Sequence, residues 1–362
     1  MDFKIKEALM PHILAHEGYV PGEQPDATGW IKLNTNENPY PPSPRISDVI
    51  ASQIDGLRLY ASPDGRSLRE AISIKHDLSP DQVILGNGSD DVLNVLARAF
   101  CGPDHGIGII APSYSLYPFL ASLQAAPIEA IEFDRDFNLP IDSIRNCSAD
   151  IFFIPSPHAP SGKGYSNETL RRILEGFPGL LVIDEAYADF AGTDAVELLA
   201  TFPNLFITRT FSKSYGLAGL RVGYGLGSPD LIRILHGVRD VYNVDLLAQA
   251  GAQTAIEDVE YFEESRRKVL STRNQFLDEL EQRGWFTYPS QANFVFTEPL
   301  DISGGKGPAV AASLFQYLKA NKILIRYFPN HSLTESFLRV TIGTDSQMET
   351  LNRAIDQWMA NV

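Results

Sequence analysis

Leu180-Leu-Val-Ile-Asp-Glu-Ala-Tyr187 is an apolar run of strand length that ends directly in two carboxylates. A run without polar alternation is expected of a strand covered on both faces, as in parallel sheets. Val83-Ile-Leu, Ile107-Gly-Ile-Ile, Ile151-Phe-Phe-Ile and Leu205-Phe-Ile-Thr208 have the same character, and between about Gln82 and Gly227 they alternate with helical patterns. The expected fold is therefore α/β, with a large domain built on a mostly parallel sheet flanked by helices.

Beyond it, Glu260 to Arg283 reads as a long charged amphipathic helix stopped by Gly284. Asn293-Phe-Val-Phe, Ile323-Leu-Ile-Arg326 and Leu338-Arg-Val-Thr-Ile342 read as strands. A last helix from Asp345 would bury Met348, Leu351, Ile355 and Trp358 at helical spacing. The expected division is a large domain over residues 41–255, with residues 1–40 as an N-terminal arm and 256–362 forming a smaller α+β domain. Pro39-Tyr-Pro-Pro-Ser-Pro44 cannot be helix interior and is expected to carry the arm across the surface.

The 362 residues, 44% apolar and 21% charged, are ordinary for a globular chain of two domains. A formal charge of -15 argues against a general nucleic-acid or acidic-membrane surface, since phosphate backbones are bound by concentrated Lys and Arg. It leaves room for a small phosphorylated substrate in a locally basic pocket. No stretch approaches the roughly 18 uncharged apolar residues of a membrane helix, and charges interrupt the apolar part of the N-terminus. Cys101 and Cys147 lack metal-ligand spacing and read as small hydrophobes in a reducing compartment. The expectation is a cytoplasmic protein without a metal.

In open parallel sheets ligands sit beyond the carboxyl ends of the strands, which puts Asp184 at the working edge. Lys213 follows the strand Leu205 to Thr208 in Thr210-Phe-Ser-Lys-Ser-Tyr-Gly-Leu-Ala-Gly-Leu-Arg221. A lone Asp after a strand is commonly a cap or an ion pair, and a lone Lys a surface charge; their joint placement points further. Pyridoxal phosphate needs an amine to bond its aldehyde, an anion to keep its ring nitrogen protonated, and a cationic, donor-rich phosphate cradle. Lys213, Asp184 and Arg221 are the candidates in that order, with the Asp184 carboxyl expected to stay ionised through charge pairing. Tyr187 is placed to hydrogen-bond the cofactor's phenolate oxygen. Leu85-Gly-Asn-Gly-Ser-Asp-Asp91 opens a helix, so the amides around Ser89 and Asp90 face an anion at its positive end, and Thr210, Ser212 and Arg221 complete the cradle. An ordinary Ser or Asp cap is the alternative there.

The chain resembles the fold type I aminotransferases that use pyridoxal phosphate, and among them the histidinol-phosphate aminotransferases. The motifs are Lys32-Leu-Asn-Thr-Asn-Glu-Asn-Pro-Tyr40, Gly86-Asn-Gly-Ser-Asp90, Ala111-Pro-Ser-Tyr114, Asp184-Glu-Ala-Tyr187, Ser212-Lys213 with Arg221, Tyr242-Asn-Val244 and Leu338-Arg339. Each is weak alone; their order and spacing are specific. The resemblance implies that Tyr114 stacks on the cofactor ring and that Tyr60 reaches the cofactor phosphate of a neighbouring subunit, which makes the protein a homodimer. It also implies Arg339 as the ligand of the substrate's anionic group, Arg326 as a second phosphate ligand, and Tyr19 closing over the substrate. One motif departs: the family usually has Asn-Pro-Thr-Gly where this chain has Ala159-Pro-Ser-Gly162, so either His158 reaches the phenolate oxygen or Tyr187 serves alone. The implied activity is amino transfer between glutamate or 2-oxoglutarate and histidinol phosphate or its keto counterpart. An aromatic amino acid aminotransferase and a threonine-phosphate decarboxylase are the rivals within the same fold. A catalytically idle binding protein would not need Lys213 and Asp184 together.

Overall fold

The computed structural model describes residues 5–14, 18, 21–25 and 28–361. Thirteen strands follow in chain order: β1 Ile31–Lys32, β2 Val83–Gly86, β3 Ile107–Ala111, β4 Ile128–Glu132, β5 Ile151–Pro155, β6 Leu180–Asp184, β7 Leu205–Thr210, β8 Gly223–Leu226, β9 Phe286–Thr287, β10 Phe294–Glu298, β11 Ile323–Leu324, β12 Arg326–Tyr327 and β13 Leu338–Thr341. Seven of them form one sheet in the order β2-β8-β7-β6-β5-β3-β4. The pairs from β4 through β7 are parallel, and only β8 runs against its neighbours β2 and β7. Every residue of β5, β6 and β7 is buried, as their unbroken apolar runs require.

Apolar clusters cover this sheet on both faces. One gathers Phe152, Ile154, Leu181, Ile183 and Ile207, and the other Ile84, Ile109, Phe153, Val182 and Phe206. The alternation of neighbouring residues between the clusters follows the period of two along each strand. All the C-terminal ends of β5, β6 and β7 therefore emerge on one edge, where Asp184 stands in register with Pro155 on one side and Thr208 on the other.

β12-β13-β10-β9 form a second, antiparallel sheet. The long helix Val259–Gln282 and the last helix Asp345–Asn361 pack on it, and Met348, Leu351, Ile355 and Trp358 are all buried, as their spacing predicts. Each fully buried Leu or Ile of this kind contributes about 1.5–3 kcal/mol. The expected strand Ile323 to Arg326 is split: β11 pairs in parallel with β1 of the N-terminal segment, while β12 joins β13. This crossing carries residues 33–36 over the working edge of the large sheet, where Leu33 Nα–H donates to the Leu324 carbonyl and Thr341 Nα–H to that of Leu33. Among the described residues no helix is long and apolar enough to cross a membrane. None of their His, Cys, Asp or Glu side chains form a group of three or more able to hold a metal.

Candidate active site

A cavity of about 910 Å³ opens at that edge, between the large sheet, the segment 34–36 and the strands β12 and β13. Its lining includes Asp184, Tyr187, Lys213, Arg221, Tyr114, Ser89, Asp90, Thr210 and Ser212 from one side and Arg326 and Arg339 from the other. The fold thus brings most of the residues singled out in the sequence to one place.

Asp184 is 5% exposed at the end of β6. Its carboxylate accepts from Tyr117 Oη at 2.9 Å, from Thr208 Oγ1 at 3.1 Å and from the Ala186 amide at 3.3 Å. Neither Tyr117 nor Thr208 was legible as a site residue. Thr208 is the register neighbour of Asp184 on β7, and Tyr117, stacked on Phe153 at 5.0 Å, comes from a helix far along the chain. These donors do not outweigh burial, which pushes the carboxyl up to about 6. Burial works against the ionised form that charge pairing is expected to maintain, and a cation brought against the carboxylate lowers the pKa again.

Lys213 lies beyond β7, and its Nζ donates to the Thr35 carbonyl at 3.0 Å and sits 5.7 Å from the centre of the Tyr187 ring. The loop that carries it is anchored. Arg209, buried in β7, pairs with Glu185 at 2.7 Å, Asp189 at 3.2 Å and Asp194 at 2.7 Å, and Asp189 accepts from the hydroxyl of Ser214, next to the lysine. Burial of one guanidinium among three carboxylates is tolerable because each charge is paired. The Arg209 pKa is held well above its ordinary value by these carboxylates, against the opposing effect of burial.

Gly88, at φ 84°, precedes the helix Ser89–Phe100, whose first-turn amides have no side-chain cap. A side-chain cap by Ser89 or Asp90 is thus not what the motif is for. Arg221, itself in the left-handed region at φ 53°, extends to Ser212 Oγ at 3.2 Å and Asp90 Oδ2 at 3.2 Å, and Tyr114 Oη donates to Asp90 Oδ1 at 3.2 Å. Thr210 Oγ1 accepts the Ser212 amide at 3.1 Å. The backbone behind this cradle calls for glycine at two points: Gly88 holds a positive φ of 84°, and a Cβ on Gly223 would stand 2.2 Å from the Ser89 nitrogen.

His158 does not belong to the site. It is fully buried, with Nδ1 at 2.7 Å from Ser161 Oγ and Nε2 at 2.9 Å from the Pro112 carbonyl, and its ring packs on Phe133 and Phe137. Both nitrogens are committed, and burial pushes its pKa down to about 4. The expectation that it reaches a cofactor oxygen is corrected: Ala159, not His158, lines the cavity. Tyr60 also stands outside the cavity of its own chain. It is 82% exposed and stacks on Tyr242 at 4.5 Å. Tyr19 lies outside the described residues.

On the opposite wall Arg326 faces Arg339 across the β12–β13 pair. Arg339 Nη2 donates to the Asn34 carbonyl at 2.8 Å and its guanidinium lies 5.3 Å from the rings of Phe294 and Phe328. Arg326 lies 5.3 Å from the Phe328 ring, and among the described residues no carboxylate is within ion-pair distance of it. The site therefore has a buried anion and a lysine at its centre, an anion cradle at one end and two guanidinium groups at the other.

The chain belongs to the family described as aminotransferase class I and II, whose model matches residues 28–355. It is an aminotransferase dependent on pyridoxal phosphate. Within that family it is 42% identical to the histidinol-phosphate aminotransferase of Citrifermentans bemidjiense over 96% of this chain and 97% of that one. It is 41% identical to that of Geotalea uraniireducens over 96% and 98%. The fold matches the histidinol-phosphate aminotransferase of Sinorhizobium meliloti, solved with pyridoxal-5'-phosphate, with a TM-score of 0.85 at 24% identity over 91% of each chain.

The residues present fit such a cofactor on their own chemistry. The glycine-backed cradle suits a phosphate, and the buried Asp184, which has only neutral donors, suits a protonated ring nitrogen.

Proposed function

We propose that the chain interconverts histidinol phosphate plus 2-oxoglutarate and imidazole acetol phosphate plus glutamate, a step of histidine biosynthesis. The observation that carries this choice is the opposed pair Arg326 and Arg339 in the cavity wall. Like charges directly across a strand pair repel each other, so their retention suits a substrate that brings two negative charges to that wall. Arg339 holds the carboxylate of glutamate in one half-reaction and, with Arg326, the phosphate of histidinol phosphate in the other.

Bound pyridoxal phosphate supplies an electron sink and a temporary store for the amino group. Lys213 would hold it through Nζ at rest and, as general base and then acid, would carry the proton taken from the substrate's α-carbon to the cofactor carbon. Asp184 keeps a negative charge against the ring nitrogen, and Tyr187 Oη donates to the phenolate oxygen. Ser89, Asp90, Thr210, Ser212 and Arg221 hold the phosphate, with Tyr114 stacked on the ring.

In the same reading the protein is a cytoplasmic homodimer in which Tyr60 reaches the partner's cofactor phosphate. Support comes from the exposed apolar surface around it, where Ile54, Leu57, Leu59, Val241 and Tyr242 are all about half exposed or more. The large cofactor-binding domain spans 41–255, with 1–40 as an N-terminal arm and 256–362 as the smaller α+β domain, supported by the separate apolar cluster behind β10 and β13.

A screen of half-reactions, followed by cofactor absorbance, tests the reading against histidinol phosphate, phenylalanine, tyrosine and threonine phosphate. Histidinol phosphate should react with the highest second-order rate. Faster reaction with phenylalanine or tyrosine, or release of carbon dioxide from threonine phosphate, would move the assignment to an aromatic aminotransferase or a decarboxylase.

A further inference from the structure

Asn36 is 1% exposed and holds a left-handed φ of 56°, a conformation that Asn tolerates better than most residues. Four hydrogen bonds fix it. Its backbone amide donates to Thr341 Oγ1 at 3.0 Å, its carbonyl accepts from Asn293 Nδ2 at 3.0 Å, its Oδ1 accepts from Thr341 Oγ1 at 2.9 Å, and its Nδ2 donates to Tyr187 Oη at 2.8 Å.

The order of these bonds has a chemical consequence. Thr341 Oγ1 receives the Asn36 amide hydrogen and directs its own single proton to Asn36 Oδ1. That fixes the side-chain amide with Nδ2 toward Tyr187. A phenol oxygen that accepts from Asn36 must send its own hydrogen elsewhere, and among the described residues no acceptor takes it. Tyr187 is held edge-on to Phe294, with ring centres 5.1 Å apart and planes at 86°, and it lines the cavity beside Lys213.

We propose that Asn36 is a positioning residue that makes the Tyr187 hydroxyl an obligate donor into the cavity, toward the phenolate oxygen of the cofactor. It thereby offsets the missing donor at Ala159, which His158 does not replace, since both its nitrogens are engaged elsewhere. The inference rests on the reading of Tyr187 as a ligand of that oxygen. A donor there stabilises negative charge on the oxygen and lowers the pKa of the conjugated Lys213–cofactor linkage.

The test is a pH titration of the absorbance of the cofactor-loaded protein, with cofactor content checked by mass. In Asn36→Asp a carboxylate that only accepts draws the Tyr187 hydrogen out of the cavity. The midpoint should rise by roughly one pH unit, the size of one charge-assisted hydrogen bond. Thr341→Val unlocks the amide without adding charge and should raise it in the same direction by less, which keeps the test open if the first variant does not fold. In the Tyr187→Phe background Thr341→Val should leave the midpoint unmoved and Asn36→Asp should move it by less, through its charge alone, because the proton they redirect is gone. Unmoved midpoints in both variants, or equal shifts with and without the Tyr187 hydroxyl, overturn the role of Asn36. A Tyr187→Phe protein with the wild-type midpoint overturns the reading of Tyr187 itself, a failure visible without any change at Asn36.

Discussion

Arg326 and Arg339 are directly opposed residues on the antiparallel strands β12 and β13, and both line the same cavity. Their guanidinium groups share the ring of Phe328, each 5.3 Å from its centre. Besides the Asn34 carbonyl that Arg339 engages, an aromatic face and a bound anion help make such a like-charged pair tolerable.

Arg326→Ala should therefore slow the half-reaction with histidinol phosphate by about 10- to 100-fold in second-order rate, the loss of one charged hydrogen bond of about 1.5–3 kcal/mol. Glutamate, without a phosphate, should change far less, whereas Arg339→Ala should impair both. Single-turnover absorbance measures each rate. Equal losses for both substrates in Arg326→Ala would remove its role as phosphate selector.

Asp184 predicts an unusual pH dependence of the cofactor-free protein. Burial raises its pKa from 3.8 to about 6, so the folded state binds the proton more tightly than the unfolded chain. The associated stability is full below about pH 4 and is lost as the pH rises through about 6. Relative to Asp184→Asn, the cofactor-free wild type should lose about 2–3 kcal/mol between pH 4 and pH 7.5. Denaturant midpoints of both proteins read this directly. With cofactor bound the order should reverse at pH 7.5, because the charge that burial penalises is then paired.

Much of this was legible in the chain, and the exceptions have physical causes. The buried strands were visible because β5, β6 and β7 are unbroken apolar runs. β4, Ile128-Glu-Ala-Ile-Glu132, is an edge strand whose exposed carboxylates break such a run, and β8, Gly223-Tyr-Gly-Leu226, contains glycines that weaken any strand signal. Lys213, Asp184 and Arg221 could be found because the chemistry needs those residue types. Asn36, Tyr117 and Thr208 could not, since they act through partners 151, 67 and 24 positions away in the chain. His158 was misplaced because a loop histidine beside a ligand motif looks the same from the sequence whether it faces the cavity or the core.

The glycines of β8 carry the third prediction. A Cβ on Gly223 meets only main-chain atoms at close range, the Ser89 nitrogen at 2.2 Å, the Gly88 carbonyl carbon at 2.5 Å and the Arg209 oxygen at 2.9 Å. Gly223→Ala must push the phosphate cradle away from the sheet. Cofactor affinity, measured by titrating the cofactor-free protein, should fall at least about tenfold, equivalent to about 1.4 kcal/mol. An unchanged affinity would show that the helix start at Ser89 does not hold the phosphate.

His158→Ala should lower stability by about 1–3 kcal/mol, because it removes a fully buried ring together with its bond to the buried Ser161 hydroxyl and its packing on Phe133 and Phe137. It should leave the pH midpoint of the cofactor absorbance where it was. A shifted midpoint at full cofactor content would restore His158 to the site.

The central claim is that Lys213 bonds the cofactor within reach of Asp184 and the glycine-backed cradle. Borohydride reduction of the loaded enzyme, followed by proteolysis and mass spectrometry, tests it most directly. The reduced cofactor should be found on the peptide that carries Lys213 and be lost from it in Lys213→Ala, with the fold retained. An adduct on any other lysine of the wild-type enzyme would contradict the claim.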